Sequence, residues 1–100
     1  MHPAIQLLKK IPKGKVATYK EMARICKTSP RAIGRIMAGN KYPVEYPCYK
    51  VVASSGELTG YSAPGGVATK RKLLERDGVG FTGNRVDKAY FHRFSGAGQI

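Results

Sequence analysis

Between Ala4 and Asn40 the apolar residues recur at helical spacing in three short runs, each bounded by residues that start or stop a helix. His2-Pro3 opens the first, over Ala4 to Lys10, where Ile5, Leu7 and Leu8 supply an apolar side and Pro12 and Gly14 end it. Thr18 and Glu21 then form a T-x-x-E capping box, in which the hydroxyl accepts from the backbone of the third helical residue and the glutamate reaches back. A second helix is predicted over Tyr19 to Cys26. Ser29 is the next N-cap, Pro30 a good first helical residue, and Gly39-Asn40 end the third helix. Two short helices joined by a tight turn read as a helix-turn-helix, whose second helix is the one to enter a groove. On that helix Ile33, Ile36 and Met37 fall together and face inward, while Arg31, Gly34, Arg35 and Ala38 follow i, i+3, i+4, i+7 on another side. That side is small and cationic, suited to a phosphate backbone or a narrow minor groove; an ordinary helical hairpin with solvated arginines has the same spacing.

After Asn40 the helical period is lost. Pro43, Pro47 and three tyrosines make an irregular connection that leads into Cys48. Tyr49 to Ala53 fits a short strand or one helical turn, Ser54-Ser55-Gly56 is a turn, and Leu58 to Tyr61 is predicted to return as the second arm of a hairpin. Ser62-Ala63-Pro64-Gly65-Gly66 is a glycine-rich loop, either a place for backbone amides to approach a ligand or a plain connector. A last helix from about Val67 to Arg76 ends at Asp77-Gly78, and a short apolar tail segment runs from Val79 to Phe94. The expected fold is mainly α with a small β-hairpin, winged-helix-like around the helix-turn-helix. No linker or repeat divides the chain, so residues 1–100 are expected to form one domain.

Composition adds a partner and a chemistry. Lys plus Arg number 18 against 6 Asp plus Glu, a net charge of +12 and a pI near 10.1, the balance of a chain that meets a polyanion or that simply carries a solvated basic surface. The basic residues are spread along the chain, which fits a folded charged face better than a basic tail. No secretory segment precedes Cys26 and Cys48, so both are expected reduced, and His2 and His92 lie too far apart in sequence to suggest a metal site with them. With no apolar run of membrane-spanning length, a soluble intracellular protein is expected. Cys48 sits between Pro47 and the apolar Val51-Val52. A free cysteine with a pKa of about 8.5 is only slightly ionised at neutral pH, so a nucleophile needs help, which Lys50 and the net charge can give. An inert buried thiol is the alternative.

The order of the pieces is more specific than any one of them. Ile11-Pro12-Lys13-Gly14-Lys15-Val16-Ala17-Thr18-Tyr19, Pro30-Arg31-Ala32-Ile33-Gly34, Asn40, Pro47-Cys48-Tyr49-Lys50-Val51-Val52, Gly60-Tyr61-Ser62 and Lys70-Arg71-Lys72-Leu73-Leu74 resemble the DNA-binding and active-site domain of the O6-alkylguanine-DNA alkyltransferases, over roughly residues 3 to 80. The resemblance implies irreversible transfer of an alkyl group from O6 of a damaged guanine in duplex DNA to Cys48, after the base is flipped out of the stack. It implies further that Arg31 fills the vacated place, with Ala32, Gly34 and Arg35 of the same helix on the DNA. Tyr19 would press on the adjoining phosphate and bond the flipped guanine. Met37 would line the base pocket, with the backbone of Cys48 and Val51 reading the exocyclic amine. Tyr61 and Ser62 would donate near O6, and Asn40 would tie the recognition helix to the active-site loop. No cofactor is implied, the expected partner is double-stranded DNA containing O6-alkylguanine, and a monomer in the cytoplasm, nucleoid or nucleus is expected.

Three departures from the family stand out. Tyr49 replaces the histidine that takes the thiol proton, although its acidic partner is retained as Asp77. A phenol with a pKa near 10 is a poor base at neutral pH, so activation is expected from Lys50, the local backbone or a tyrosinate, with slower transfer or a more alkaline optimum. Lys50 replaces the usual arginine. The family's separate amino-terminal domain is expected to be absent. The altered dyad keeps open a second reading through the alkyltransferase-like proteins, relatives that bind alkylated DNA and signal without reacting. A lesion-blind helix-turn-helix binder is the third.

Overall fold

The structure, a computed structural model, describes residues 2–42, 45–59 and 65–94. Helix α1 (Pro3–Leu7) runs on into a 3-10 turn at Leu8–Lys10, and His2 caps it by accepting from the Ala4 N–H at 3.0 Å through Nδ1. Helices α2 (Tyr19–Cys26) and α3 (Pro30–Ala38) have the predicted caps: Thr18 Oγ1 accepts from the Glu21 N–H at 3.0 Å and Ser29 Oγ from the Ala32 N–H at 3.1 Å. Each such cap contributes about 1 kcal/mol. Lys27 closes α2 in the left-handed region at φ 57. The other half of the capping box is used differently. Glu21 Oε2 accepts from the Phe94 N–H at 2.8 Å, Arg24 binds the same carboxylate, and Arg24 Nη2 donates to the Phe94 carbonyl at 2.8 Å. This clamp fastens the C-terminal segment to the helix-turn-helix.

Two very short strands divide the interior. Strand β1 (Ala17–Thr18) pairs in parallel with β2 (Val51–Val52), Ala17 opposite Val51, and Phe91 bridges to Val16 on the open side of β1. Because side chains alternate along a strand, Ala17 and Val51 face one core, built by the first three helices with Leu7, Met22, Ile33 and Phe94. Val16 and Val52 face a second core with Leu74, Val79 and Val86. Val16, Ala17, Val51 and Val52 are fully buried, and a buried valine contributes roughly 1.5–3 kcal/mol.

Helix α4 (Gly66–Arg76) enters from Gly65 at φ +90 and is followed by an antiparallel hairpin, β3 (Phe81–Thr82) and β4 (Arg85–Val86), turning at Gly83. The hairpin therefore lies in the segment expected to be a plain apolar tail. In the described part of the arms expected at Tyr49–Ala53 and Leu58–Tyr61, Val51-Val52 pair with β1, the Ala53 N–H donates to the Glu57 carbonyl at 3.0 Å, and Glu57 bridges to Arg85. Adjacent β-branched residues bury both faces only between two layers, which a solvent-backed hairpin does not offer. Both readings of Tyr49–Ala53 hold in part, as a 3-10 turn at Cys48–Lys50 leading into β2. The predicted turn after Ala53 is present, and Gly56 is required in it. Its φ is +91, its carbonyl accepts from the Val86 N–H at 2.9 Å, and a Cβ would fall 2.5 Å from the Val86 oxygen. Gly60, Tyr61 and Ser62, with the rest of residues 60–64, lie outside the described residues.

Candidate active site and nucleic-acid interface

Arg31 and Arg35 are exposed on α3, Ala32 and Gly34 half-exposed between them, and Ile33 and Met37 buried beneath. Among the described residues neither guanidinium has an ion-pair partner. A Cβ on Gly34 would meet nothing within 4 Å, so internal packing does not require a glycine there. The helix thus presents a smooth cationic ridge, the shape a close phosphate approach needs.

At the end of α3 stands Asn40. Its Nδ2 donates to the Tyr46 carbonyl at 2.7 Å, and its Oδ1 accepts from the Tyr42 N–H at 3.1 Å. The same Tyr46 carbonyl accepts from the Cys48 N–H at 2.8 Å. One carbonyl oxygen therefore joins the exposed helix to the thiol-bearing turn. Lys9 holds the Tyr46 ring from outside, its ammonium 4.6 Å from the ring centroid.

Cys48 is buried in the first core together with Met37 and Val51, whereas its neighbour Tyr49 packs against the second. The Tyr49 hydroxyl donates to Asp77 Oδ2 at 2.6 Å, so the predicted pair forms with the phenol as donor. Lys50 is buried and donates to the Ile11 carbonyl at 3.3 Å. Burial lowers its pKa, opposed by Asp77 and reinforced by Lys13. The charges that act on Lys50 are thus Asp77 and Lys13.

A second buried cation is Lys70. Its side chain, 1% exposed, reaches inward from α4, which packs on the turn at Cys48–Lys50. Nζ donates to the Thr59 carbonyl at 2.9 Å and lies 5.7 Å from the centroid of the Tyr19 ring. Burial lowers its pKa from 10.5 to about 8, against the opposing pull of the Cys48 thiolate. Tyr19 belongs to the same cluster. Burial raises its phenol pKa, the Thr59 side chain hydrogen-bonds it and pulls back, and the Cys48 charge adds to the rise. Sequence reasoning quoted Lys70 in a motif but gave it no role. The available signal was its spacing: Lys70 and Leu74 are four apart on one helix face, and both are buried.

The remaining candidates stay outside. Cys26 is half-buried in the scaffold helix and its thiol is pushed up by burial. His2 is a helix cap. His92 stacks edge-on against Phe94, with burial lowering its pKa. Among the described residues no group of three metal-ligating side chains occurs, and no helix is long and apolar enough to cross a membrane.

An exposed, cationic second helix of a helix-turn-helix, wired through Asn40 to a buried cysteine, defines a DNA-binding domain with a thiol centre. The family model described as 6-O-methylguanine DNA methyltransferase, DNA binding domain, matches residues 2–79, and the chain belongs to that family. A methylated-DNA-protein-cysteine methyltransferase of Pyrobaculum aerophilum is 50% identical over 69 residues, which cover 69% of this chain and 45% of that protein. The chain spans under half the length of such curated relatives. Among solved structures, S. pombe Atl1 in complex with damaged DNA containing O6-carboxymethylguanine superposes with a TM-score of 0.73 at 26% identity, covering 90% of this chain and 91% of that one. The O6-methylguanine-DNA methyltransferase of the hyperthermophilic archaeon Pyrococcus kodakaraensis strain KOD1 gives 0.69 at 42% identity, covering 76% and 44%.

Proposed function

We propose that this chain is a single alkyltransferase domain that repairs duplex DNA by taking an alkyl group from O6 of guanine onto Cys48, once per molecule. The S–C bond forms as the C–O6 bond breaks, and the electron pair leaves on the guanine oxygen. The product thioether has no easy return path. The lesion must leave the stack, at a cost of a few kcal/mol, because Cys48 is buried. In this reading Arg31 fills the vacated place, with Ala32, Gly34 and Arg35 against the backbone. Tyr19 and Met37 line the pocket with Val51, while Tyr61 and Ser62 donate toward O6. The observation that carries the reading is the shared Tyr46 carbonyl, which couples the DNA-facing helix through Asn40 to the Cys48 backbone.

The test is intact and peptide mass spectrometry after incubation with a duplex containing O6-methylguanine. One methyl on Cys48, absent from the Cys48→Ala variant, is expected; an unmodified Cys48 at full lesion binding refutes transfer. Two observations favour a second reading, a lesion binder without efficient transfer. The phenol of Tyr49 stands where the family has a base, and the likeness to Atl1, solved on damaged DNA, extends over 90% of this chain. In that case the lesion duplex shifts in a gel while the protein mass does not change.

A further inference from the structure

We propose that the groove where the end of α3 meets α1 is a second contact of this chain with duplex DNA, and that it takes the deoxyribose-phosphate backbone running past the recognition helix. The inference rests on the reading of α3 as the DNA-facing helix. A groove of about 410 Å³ opens between His2 and Ile5 on one side and Ile36, Lys41 and Tyr42 on the other. Its walls are of two kinds. Ile5, Ile36 and the Tyr42 ring are apolar, and Tyr42, 56% exposed, is the most exposed large apolar side chain among the described residues. Asn40 holds the backbone here by accepting from the Tyr42 N–H at 3.1 Å. Lys41 and His2 are the polar part. Lys41 is exposed with no ion-pair partner among the described residues, and Glu45, the next acidic residue along the chain, is taken by Lys9 at 3.7 Å. His2 Nδ1 accepts from the Ala4 N–H, so in this form the imidazole proton is on Nε2, a second donor for the groove.

Position and chemistry select the occupant. Arg31, Arg35 and Gly39 follow one another four apart, so the cationic row of α3 runs about 12 Å along the helix and ends at the groove, which Gly39 also lines. A strand that tracks this row brings alternating sugars and phosphates to the groove. The sugar is the apolar part of the backbone and matches Ile5, Ile36 and Tyr42, while the phosphate matches Lys41 and the His2 Nε2–H. The negative end of the α3 dipole works against a bare anion at this point, so Lys41 is what makes a phosphate acceptable there. An acidic peptide would meet the same two donors, but it would not be led to them along α3.

The experiment titrates a fluorescent O6-methylguanine duplex with the full chain and its variants across a salt series, reading anisotropy. Lys41→Gln is expected to bind about tenfold more weakly at about 50 mM salt and about threefold at about 200 mM, because one lost phosphate contact lowers the magnitude of the salt slope by about 0.9. Tyr42→Ser is expected to bind about threefold more weakly with an unchanged slope, since a sugar contact releases no counterion. Lys88→Gln removes the same charge from an exposed position in the turn Lys88–Tyr90 and should stay within about twofold of the parent. Lys41→Gln binding with the parent's affinity and slope overturns the proposal. An equal loss in Lys88→Gln also overturns it, because the effect would then be one of net charge. Arg35→Gln separates the two readings. If it lowers the slope and Lys41→Gln does not, α3 faces DNA and the groove assignment falls, which is the result a peptide groove would give. If Lys41→Gln lowers the slope and Arg35→Gln does not, the groove contact stands and the reading of α3 falls.

Discussion

Replacing Lys70 by methionine should make the protein more stable at neutral pH and remove a pH dependence that the parent shows. The charged lysine is disfavoured in the fold, because its pKa lies near 8 there and near 10.5 when unfolded. At about 1.4 kcal/mol per pH unit, that gap amounts to about 3 kcal/mol against folding at pH 7. Methionine nearly matches the stem in volume and needs no hydration. The lost hydrogen bond to Thr59 offsets part of the gain, about 1 kcal/mol, since Thr59 is exposed and water can reach it. The expected net gain is about 2 kcal/mol at pH 7. The sign of the pH effect follows from proton counting. Between about 8 and 10.5 the unfolded lysine binds more protons than the folded one, so the parent gains stability as pH rises through that window. From pH 7 to pH 9.5 the gain is about 2 kcal/mol, and the advantage of Lys70→Met should vanish there. Urea denaturation of both proteins at the two pH values, with thiols kept reduced, measures it. A variant less stable than the parent at pH 7, or a difference that does not change with pH, refutes the argument.

Asn40→Ala should lower stability by about 1–2 kcal/mol, since it leaves the Tyr42 N–H and the Tyr46 carbonyl each short of a partner, and should weaken lesion-duplex binding; urea melts and gel titration check both. Gly56→Ala should be among the most damaging loop changes, by about 2–4 kcal/mol or outright misfolding, because a Cβ at φ +91 collides with the Val86 oxygen, and the thermal midpoint reports it. Glu21→Gln should weaken the clamp on Phe94 at neutral pH. Hydrogen bonding by Arg24 holds the Glu21 pKa below its usual value, so the parent's advantage is present above about pH 4.5 and lost as pH falls below it, which melts at pH 6 and pH 3 will show.

The helix-turn-helix was legible because its signals are local. Thr18, Ser29 and Pro30 act on backbone within four residues of themselves, and the spacing of Ile33 and Met37 defines a buried side wherever the helix lies. The strands were only partly legible, Tyr49–Ala53 reading equally as a short strand or a helical turn. Ala17–Thr18 and Val51–Val52 are two residues each and owe their conformation to a partner more than thirty positions away. The hairpin at Phe81–Val86 was hidden for a related reason: one apolar residue per arm faces the core, too few to show a period. Among the candidate residues, Cys48, Asn40 and Asp77 came from motif order, while the burial of Lys70 was not foreseen, because a lysine in a basic helix looks solvated until the fold shows which way it turns.

The wall formed by Ala17, Val51, Val16 and Val52 imposes a rule of parity on this gene. Cys48 and Val51 belong to one core, Tyr49 and Val52 to the other, so the side each residue faces depends on its place in the count. Exchanging one of these valines for isoleucine keeps the count and perturbs only volume. Inserting or deleting a single codon between Cys48 and Val51 would turn every following side chain of the strand to the opposite core and carry the thiol away from the Tyr46 carbonyl at the same time. Along descendants of this sequence the stretch should therefore drift in composition while keeping its length.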